Sequence, residues 1–146
     1  MTTDPAISRT PGLTGIQHVG LTVADVEASR GWYERVLGLH SQFQEPHHES
    51  SAGGYAVVLG TPDMSLNIGL DHHPSHDGAP FDPTRTGLDH LCLQVADPAA
   101  LATWAEHLDR EGVENSGVYL MEGTPFSLLT FEDPDGIQLE LIAMAV

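Results

Sequence analysis

The chain repeats itself. At an offset of 72 positions, residues 18–36 and 90–108 align without a gap. They share His18/His90, Leu21/Leu93, Val23/Val95, Ala24/Ala96, Asp25/Asp97, Ala28/Ala100, Trp32/Trp104 and Glu34/Glu106. Pro62-Asp63 and Pro134-Asp135 keep the same spacing. Unrelated stretches rarely match so well, so this is an internal duplication. An offset of 72 is about half of the 146 residues, which describes one paired structure and not a long solenoid.

The local pattern within each copy is the same. Residues 1–12 lack periodicity and read as a flexible tail. From Gly15 to Val23 the residues alternate: Val19, Leu21 and Val23 point one way, His18, Gly20 and Thr22 the other. Asp25 suits a helix N-cap, Ala28, Trp32 and Val36 recur at helical spacing, and Gly38 suits a stop. Strands are expected around Phe43, Tyr55–Leu59 and Met64–Leu70, with turns at Gly53-Gly54 and Pro62-Asp63. Residues 71–86, rich in Pro, Asp, His and Gly, read as a linker. In the second copy Leu91, Leu93 and Val95 share one strand face and His90, Cys92 and Gln94 the other. Asp97 and Pro98 open a helix with the stripe Leu101, Trp104, Ala105 and Leu108, and Gly112 ends it. Strands at Val118–Met121, Phe126–Phe131 and Ile137–Ala143 follow. The expected fold is α+β: one domain over 13–146, made of two tandem βαβββ modules (13–70 and 87–146). Their cupped, mixed sheet would carry the helices on its outer face.

That alternation selects the candidate ligands. The apolar strand residues need helices to pack on, so the opposite face receives His18, His90 and, in the last strand, Gln138, Glu140 and Ile142. A carboxylate within Ile137-Gln138-Leu139-Glu140-Leu141-Ile142 is costly to bury without a cation. Two histidines and one carboxylate suit Fe(II), Mn, Ni, Co or Zn and leave coordination positions open. Cys92 and Gln94 lie on the same face as His90, and Gln94 and Gln138 are candidate hydrogen-bond partners of ligands. Cys92 is expected to be a small buried side chain. Tyr55, Tyr119, Phe43 and Phe126 are pocket or packing residues; Trp32 and Trp104 belong to the core. His47-His48, His72-His73 and His76 fall in loop-like sequence and read as solvated.

Composition narrows the partners. The formal net charge is −16, with five arginines and no lysine. Such a chain repels nucleic acid and anionic membrane, and suits neutral or cationic small molecules. No apolar run reaches membrane-spanning length and no signal-peptide pattern opens the chain, so a cytoplasmic location is expected. The single cysteine, Cys92, excludes an internal disulfide framework.

The His18 strand, the helix end Trp32-Tyr33-Glu34-Arg35-Val36-Leu37-Gly38-Leu39 and the ending Asp133-Pro134-Asp135-Gly136-Ile137-Gln138-Leu139-Glu140 resemble the vicinal oxygen chelate superfamily. That group includes glyoxalase I, bleomycin resistance proteins, fosfomycin-resistance thiol transferases and extradiol ring-cleaving dioxygenases. The resemblance covers Gly15 to Ala143. It implies paired βαβββ modules around a divalent metal, with His18, His90 and Glu140 on ligand positions and Glu140 in the catalytic centre. It also implies a homodimer and a small substrate chelated through vicinal oxygens, in lyase, isomerase or dioxygenase chemistry. Glyoxalase I-like sites carry a further ligand in the last strand of the first module. There the ungapped repeat places Ile68, and a one-residue slip places Asn67, neither of them a carboxylate. Thr130 stands where extradiol enzymes carry a tyrosine. The alternative is a non-catalytic antibiotic-binding protein of the bleomycin-resistance type, whose acidity suits a cationic drug.

Overall fold

A computed structural model of the chain describes residues 11–46 and 53–144. The first module comprises β1 (Val19–Thr22), α1 (Val26–Leu37), β2 (His40–Pro46), β3 (Tyr55–Gly60) and β4 (Asn67–His72). The second comprises β5 (His90–Gln94), α2 (Pro98–Arg110), β6 (Tyr119–Leu120), β7 (Phe126–Glu132) and β8 (Gln138–Met144). Each module forms its own mixed four-stranded sheet, ordered β1-β4-β3-β2 and β5-β8-β7-β6. In each, the first strand pairs parallel with the last, and the other pairs are antiparallel. The duplication in the sequence is therefore a duplication of topology. Strand β4 runs two residues into the stretch that composition marks as linker, which puts Asp71 and His72 in a sheet. No helix among the described residues is long and apolar enough to cross a membrane.

The helix ends form where their caps are. The Asp25 carboxylate accepts from the Ala28 N–H at 3.0 Å, and Asp97 accepts from Ala100 at 2.8 Å. Gly38, at φ 67°, takes the left-handed turn that closes α1 and donates its N–H to the Glu34 carbonyl. Helix α2 ends at Arg110, with the left-handed residue Gly112 just beyond it.

One core serves both modules. Leu21, Val36, Leu59 and Leu70 of the first join Leu101, Leu108, Leu139 and Leu141 of the second in a single buried cluster. Trp32 and Trp104 are half-buried against this cluster and not inside it. Burial at about 25 cal/mol per Å² of apolar surface makes this cluster the main stabilising force of the fold.

Polar contacts fix their angle. The buried Tyr33 hydroxyl donates to Asp133 at 2.9 Å, and Asp133 also accepts from the N–H groups of Asp135 and Ile137, both at 2.9 Å. Asp135 accepts in turn from the Ala24 N–H at 3.1 Å and from the Ser29 hydroxyl. The turn before β8 thus grips the start and middle of α1. His107 Nε2 donates to the Val36 carbonyl at 2.8 Å on the other side. Burial, reinforced by the Asp133 charge, pushes the Tyr33 phenol far above its usual range, so it stays protonated and acts only as a donor. Burial likewise raises the Asp133 carboxyl.

Tyr33→Phe leaves a buried carboxyl one donor short, and should lower stability by about 1–3 kcal/mol. Urea unfolding at neutral pH measures this; an unchanged midpoint would show that the Tyr33–Asp133 bond does not help hold the modules together.

Candidate metal centre

Because the core takes the helix-side face of both sheets, the opposite faces look outward. His90 opens β5 on such a face, beside Gln138 and two residue pairs before Cys92↔Glu140. Its Nδ1 lies 2.7 Å from the Asp89 carboxylate, and its Nε2 lies 3.7 Å from Oε2 of Glu140. A carboxylate only accepts, so Nδ1 carries the hydrogen and Nε2 of the neutral ring turns its lone pair toward Glu140. A proton or a cation between these two acceptors would be held by both. A carboxylate behind the ring of a metal-binding histidine fixes its tautomer in the same way. Glu140 is held by Gln138, whose Nε2 donates to it at 2.8 Å. The side chain of His90 is 41% exposed and that of Glu140 is 15% exposed, so the pair is open to a ligand on one side.

His18 immediately precedes β1 and is built the same way. Its Nδ1 lies 2.5 Å from Oε1 of Gln17, so Nε2 is again the nitrogen left for a ligand. Gln17 and Asp89 are themselves 72 positions apart. Each histidine of the repeat is oriented by the residue before it, a relation that the spacing contains and that the strand pattern alone does not reveal. Asn67, buried, donates from Nδ2 to the carbonyls of Gln17 at 3.0 Å and Met64 at 2.7 Å, which anchors the chain ahead of His18.

Within one chain the two histidines do not share a cluster. Among the described residues no group of three His, Cys, Asp or Glu side chains stands close enough to hold a metal ion. His18 instead borders a cavity of about 370 Å³ on the outward face of the first sheet, shared with Thr22, Glu45, Gly69, Asp71 and His73. Among the described residues no arginine lines it.

The other candidates are placed as follows. Cys92 is exposed and not buried, with its thiol hydrogen-bonded to Glu140; local desolvation, then the Glu140 charge, push the thiol upward and keep it protonated. Gln94 is exposed at the end of β5, and Tyr119 is 43% exposed on β6 opposite Leu128. His72 packs its ring on Tyr55 with centroids 5.0 Å apart, and His76 Nδ1 accepts from the Gly78 N–H. His47 and His48 lie outside the described residues.

The register corrects the expected counterpart of Glu140. Val19 pairs with Ile68 and Gly20 with Gly69, while Leu91 pairs with Leu139 and Cys92 with Glu140. The structural equivalent of Glu140 is therefore Gly69, and neither Ile68 nor Asn67. Ile68 points into the core. The cause is a turn one residue longer in the first module: Asp63 to Gly69 spans six positions, Asp135 to Glu140 five. The extra residue falls after Met64, whose left-handed φ of 56° has its counterpart in Gly136 at 83°.

The His90 proton is held above the ordinary histidine value of 6.5, first by the hydrogen bond to Asp89 and then by the charges of Glu140 and Asp89. Metal binding needs the neutral ring, so uptake should weaken as pH falls through this raised pKa. Asp89→Asn should move the His90 titration down toward 6.5. Proton NMR of the imidazole follows it; a titration that does not move would exclude Asp89 as the group that orients the ring.

Residues 15–141 match the Glyoxalase/Bleomycin resistance protein/Dioxygenase superfamily. YaeR of Escherichia coli (strain K12) is 30% identical over 137 residues, which are 89% of this chain and 96% of that protein. A Bacillus subtilis (strain 168) protein named "Putative ring-cleaving dioxygenase MhqA" is 26% identical over 131 residues, 90% of this chain. The chain spans 40% of the length of that relative. Among solved structures, a glyoxylase/bleomycin resistance protein/dioxygenase domain from Frankia sp. EAN1pec superposes with a TM-score of 0.79 at 28% identity, over 91% of this chain and 99% of that one. FosX, a fosfomycin resistance protein from Listeria monocytogenes complexed with Mn(II) and sulfate, gives a TM-score of 0.61 at 15% identity, over 90% and 93%, which shows a shared fold. The family match spans nearly the whole duplicated region, and the chain belongs to the Glyoxalase/Bleomycin resistance protein/Dioxygenase superfamily.

Proposed function

We propose that this chain is a divalent-metal-dependent enzyme whose three protein ligands are His18, His90 and Glu140. The observation that carries the reading is the matched orientation of the two histidines. Each has its Nδ1 held by the preceding side chain, and the Nε2 of His90 is aimed at Glu140. The donor set suits Fe(II), Mn(II), Ni(II), Co(II) or Zn(II).

We further propose a homodimer in which His18 of one copy meets His90 and Glu140 of another. Both half-sites lie on outward sheet faces, and the described residues of one chain assemble no three-ligand group. Exposed Phe43 and Tyr119 border these faces and would be covered by such a pairing. A cytoplasmic location accords with this assignment.

The bound metal would supply Lewis-acid polarisation of substrate oxygens. The protein's own share is orientation. Asp89 and Gln17 fix the two imidazoles, Gln138 fixes Glu140, and Asn67 anchors the chain before His18. Glu140 also accepts or returns a proton at Oε1, the oxygen that Gln138 holds. A cavity lined by Glu45 and Asp71, and by no arginine among the described residues, favours an uncharged or cationic molecule with adjacent oxygens over a phosphonate. Lyase, isomerase and dioxygenase chemistry all use such a centre. The second reading, binding of a cationic antibiotic without catalysis, draws on the charge of −16.

Protein purified without chelator should carry one transition metal per chain, lost in His18→Ala and in Glu140→Gln. Wild-type protein that remains metal-free when these ions are offered removes the enzyme reading and favours the binding protein. Co-refolding the two variants in equal amounts tests the shared site. Half the dimers are then mixed, and each has one intact site, so about a quarter of wild-type metal should return. No recovery means that the site closes within one chain.

A further inference from the structure

Position 69 is glycine where its structural twin is Glu140, yet the first module has a carboxylate at that spot. Along β4, strand alternation puts Asn67, Gly69 and Asp71 on the outward face, since Ile68 and Leu70 are in the core. Gly69 pairs across the ladder with Gly20, so two neighbouring positions lack side chains. The Asp71 side chain folds back over this floor. A methyl group built on Gly20 would lie 2.9 Å from Oδ2 of Asp71, and one built on Gly69 would lie 3.5 Å from it. A glutamate at 69 would carry its carboxylate about that far from its own Cβ. The two glycines thus make room for a carboxylate that arrives from two residues along the strand. His18 and Asp71 line the same cavity.

We infer that Asp71 supplies the first module's carboxylate to the metal centre, as a fourth protein ligand in the place that glutamate would take at position 69. This rests on the three-ligand reading above. The set becomes two imidazoles and two carboxylates, which neutralises a divalent ion. The glycine at 20 is part of the arrangement, because a Cβ there meets the Asp71 oxygen at a distance that real Cβ contacts do not show. Gly69 is different: a Cβ there makes ordinary contacts, so the strand can accept a glutamate.

The test is Mn(II) binding to the purified full-length protein, by calorimetry and by the Mn(II) electron paramagnetic resonance spectrum. Asp71→Asn should weaken the affinity at least about tenfold and change the spectrum. Adding Gly69→Glu to Asp71→Asn should restore the affinity to within a few-fold of wild type. Glu45→Gln, which removes the same charge from the same cavity, should change the affinity by less than Asp71→Asn does. Melting curves identify variants that fold. Wild-type affinity and spectrum in folded Asp71→Asn overturn the inference while leaving the three-ligand reading intact. An equal loss in Glu45→Gln also overturns it, since general charge would then explain the effect. Wild-type protein that takes up no Mn(II) removes both.

Discussion

A single core grips both sheets by their helix-side faces, and this decides where polar groups can go. Once Leu21, Ile68 and Leu70 point into that core, His18, Gly69 and Asp71 must point out of it. The same holds for Leu91, Leu139 and Leu141 against His90, Cys92 and Glu140, except that Leu91 packs at the rim of the core and not within it. Two outward sheet faces carrying these polar groups are the result. The turn at Asp133 and Asp135 sets the angle between the modules by holding α1, so the DPDG segment has an architectural task as well as leading into the Glu140 strand.

Much of this is legible in the sequence because side chains in a strand alternate with period two. That rule puts His18, His90 and Glu140 on faces free of helix packing without any knowledge of which strands are neighbours. Register is another matter. An ungapped repeat carries Glu140 onto Ile68, and one extra residue between Met64 and Ile68 moves the true counterpart to Gly69. A one-residue slip in a strand reverses the face of every side chain, so no composition argument could have compensated. Asp71 was hidden differently. Its downstream neighbours are polar and turn-like, which reads as linker, but pairing with Thr22 and Ala56 extends the strand through it.

The two modules have diverged where a metal centre would be most sensitive. The second presents Glu140 directly, steadied by Gln138. The first presents a glycine floor with a carboxylate folded across it. The histidine supports differ too: an anionic Asp89 behind one ring and a neutral Gln17 behind the other. With a charged partner behind one ring and a neutral one behind the other, the two imidazoles would not be equivalent toward a metal. The family match fixes the fold and leaves the reaction to such details.

In the proposed dimer the outward faces of two copies meet around two ions, one at each pairing of His18 with the partner's His90 and Glu140. Anomalous diffraction at the manganese edge, from crystals grown with Mn(II), tests it most directly. One manganese per chain is expected, bound by Nε2 of His90 and the Glu140 carboxylate of one copy and by Nε2 of His18 of a second. Manganese bound at the loop histidines instead, or none at His90 and Glu140, would contradict it.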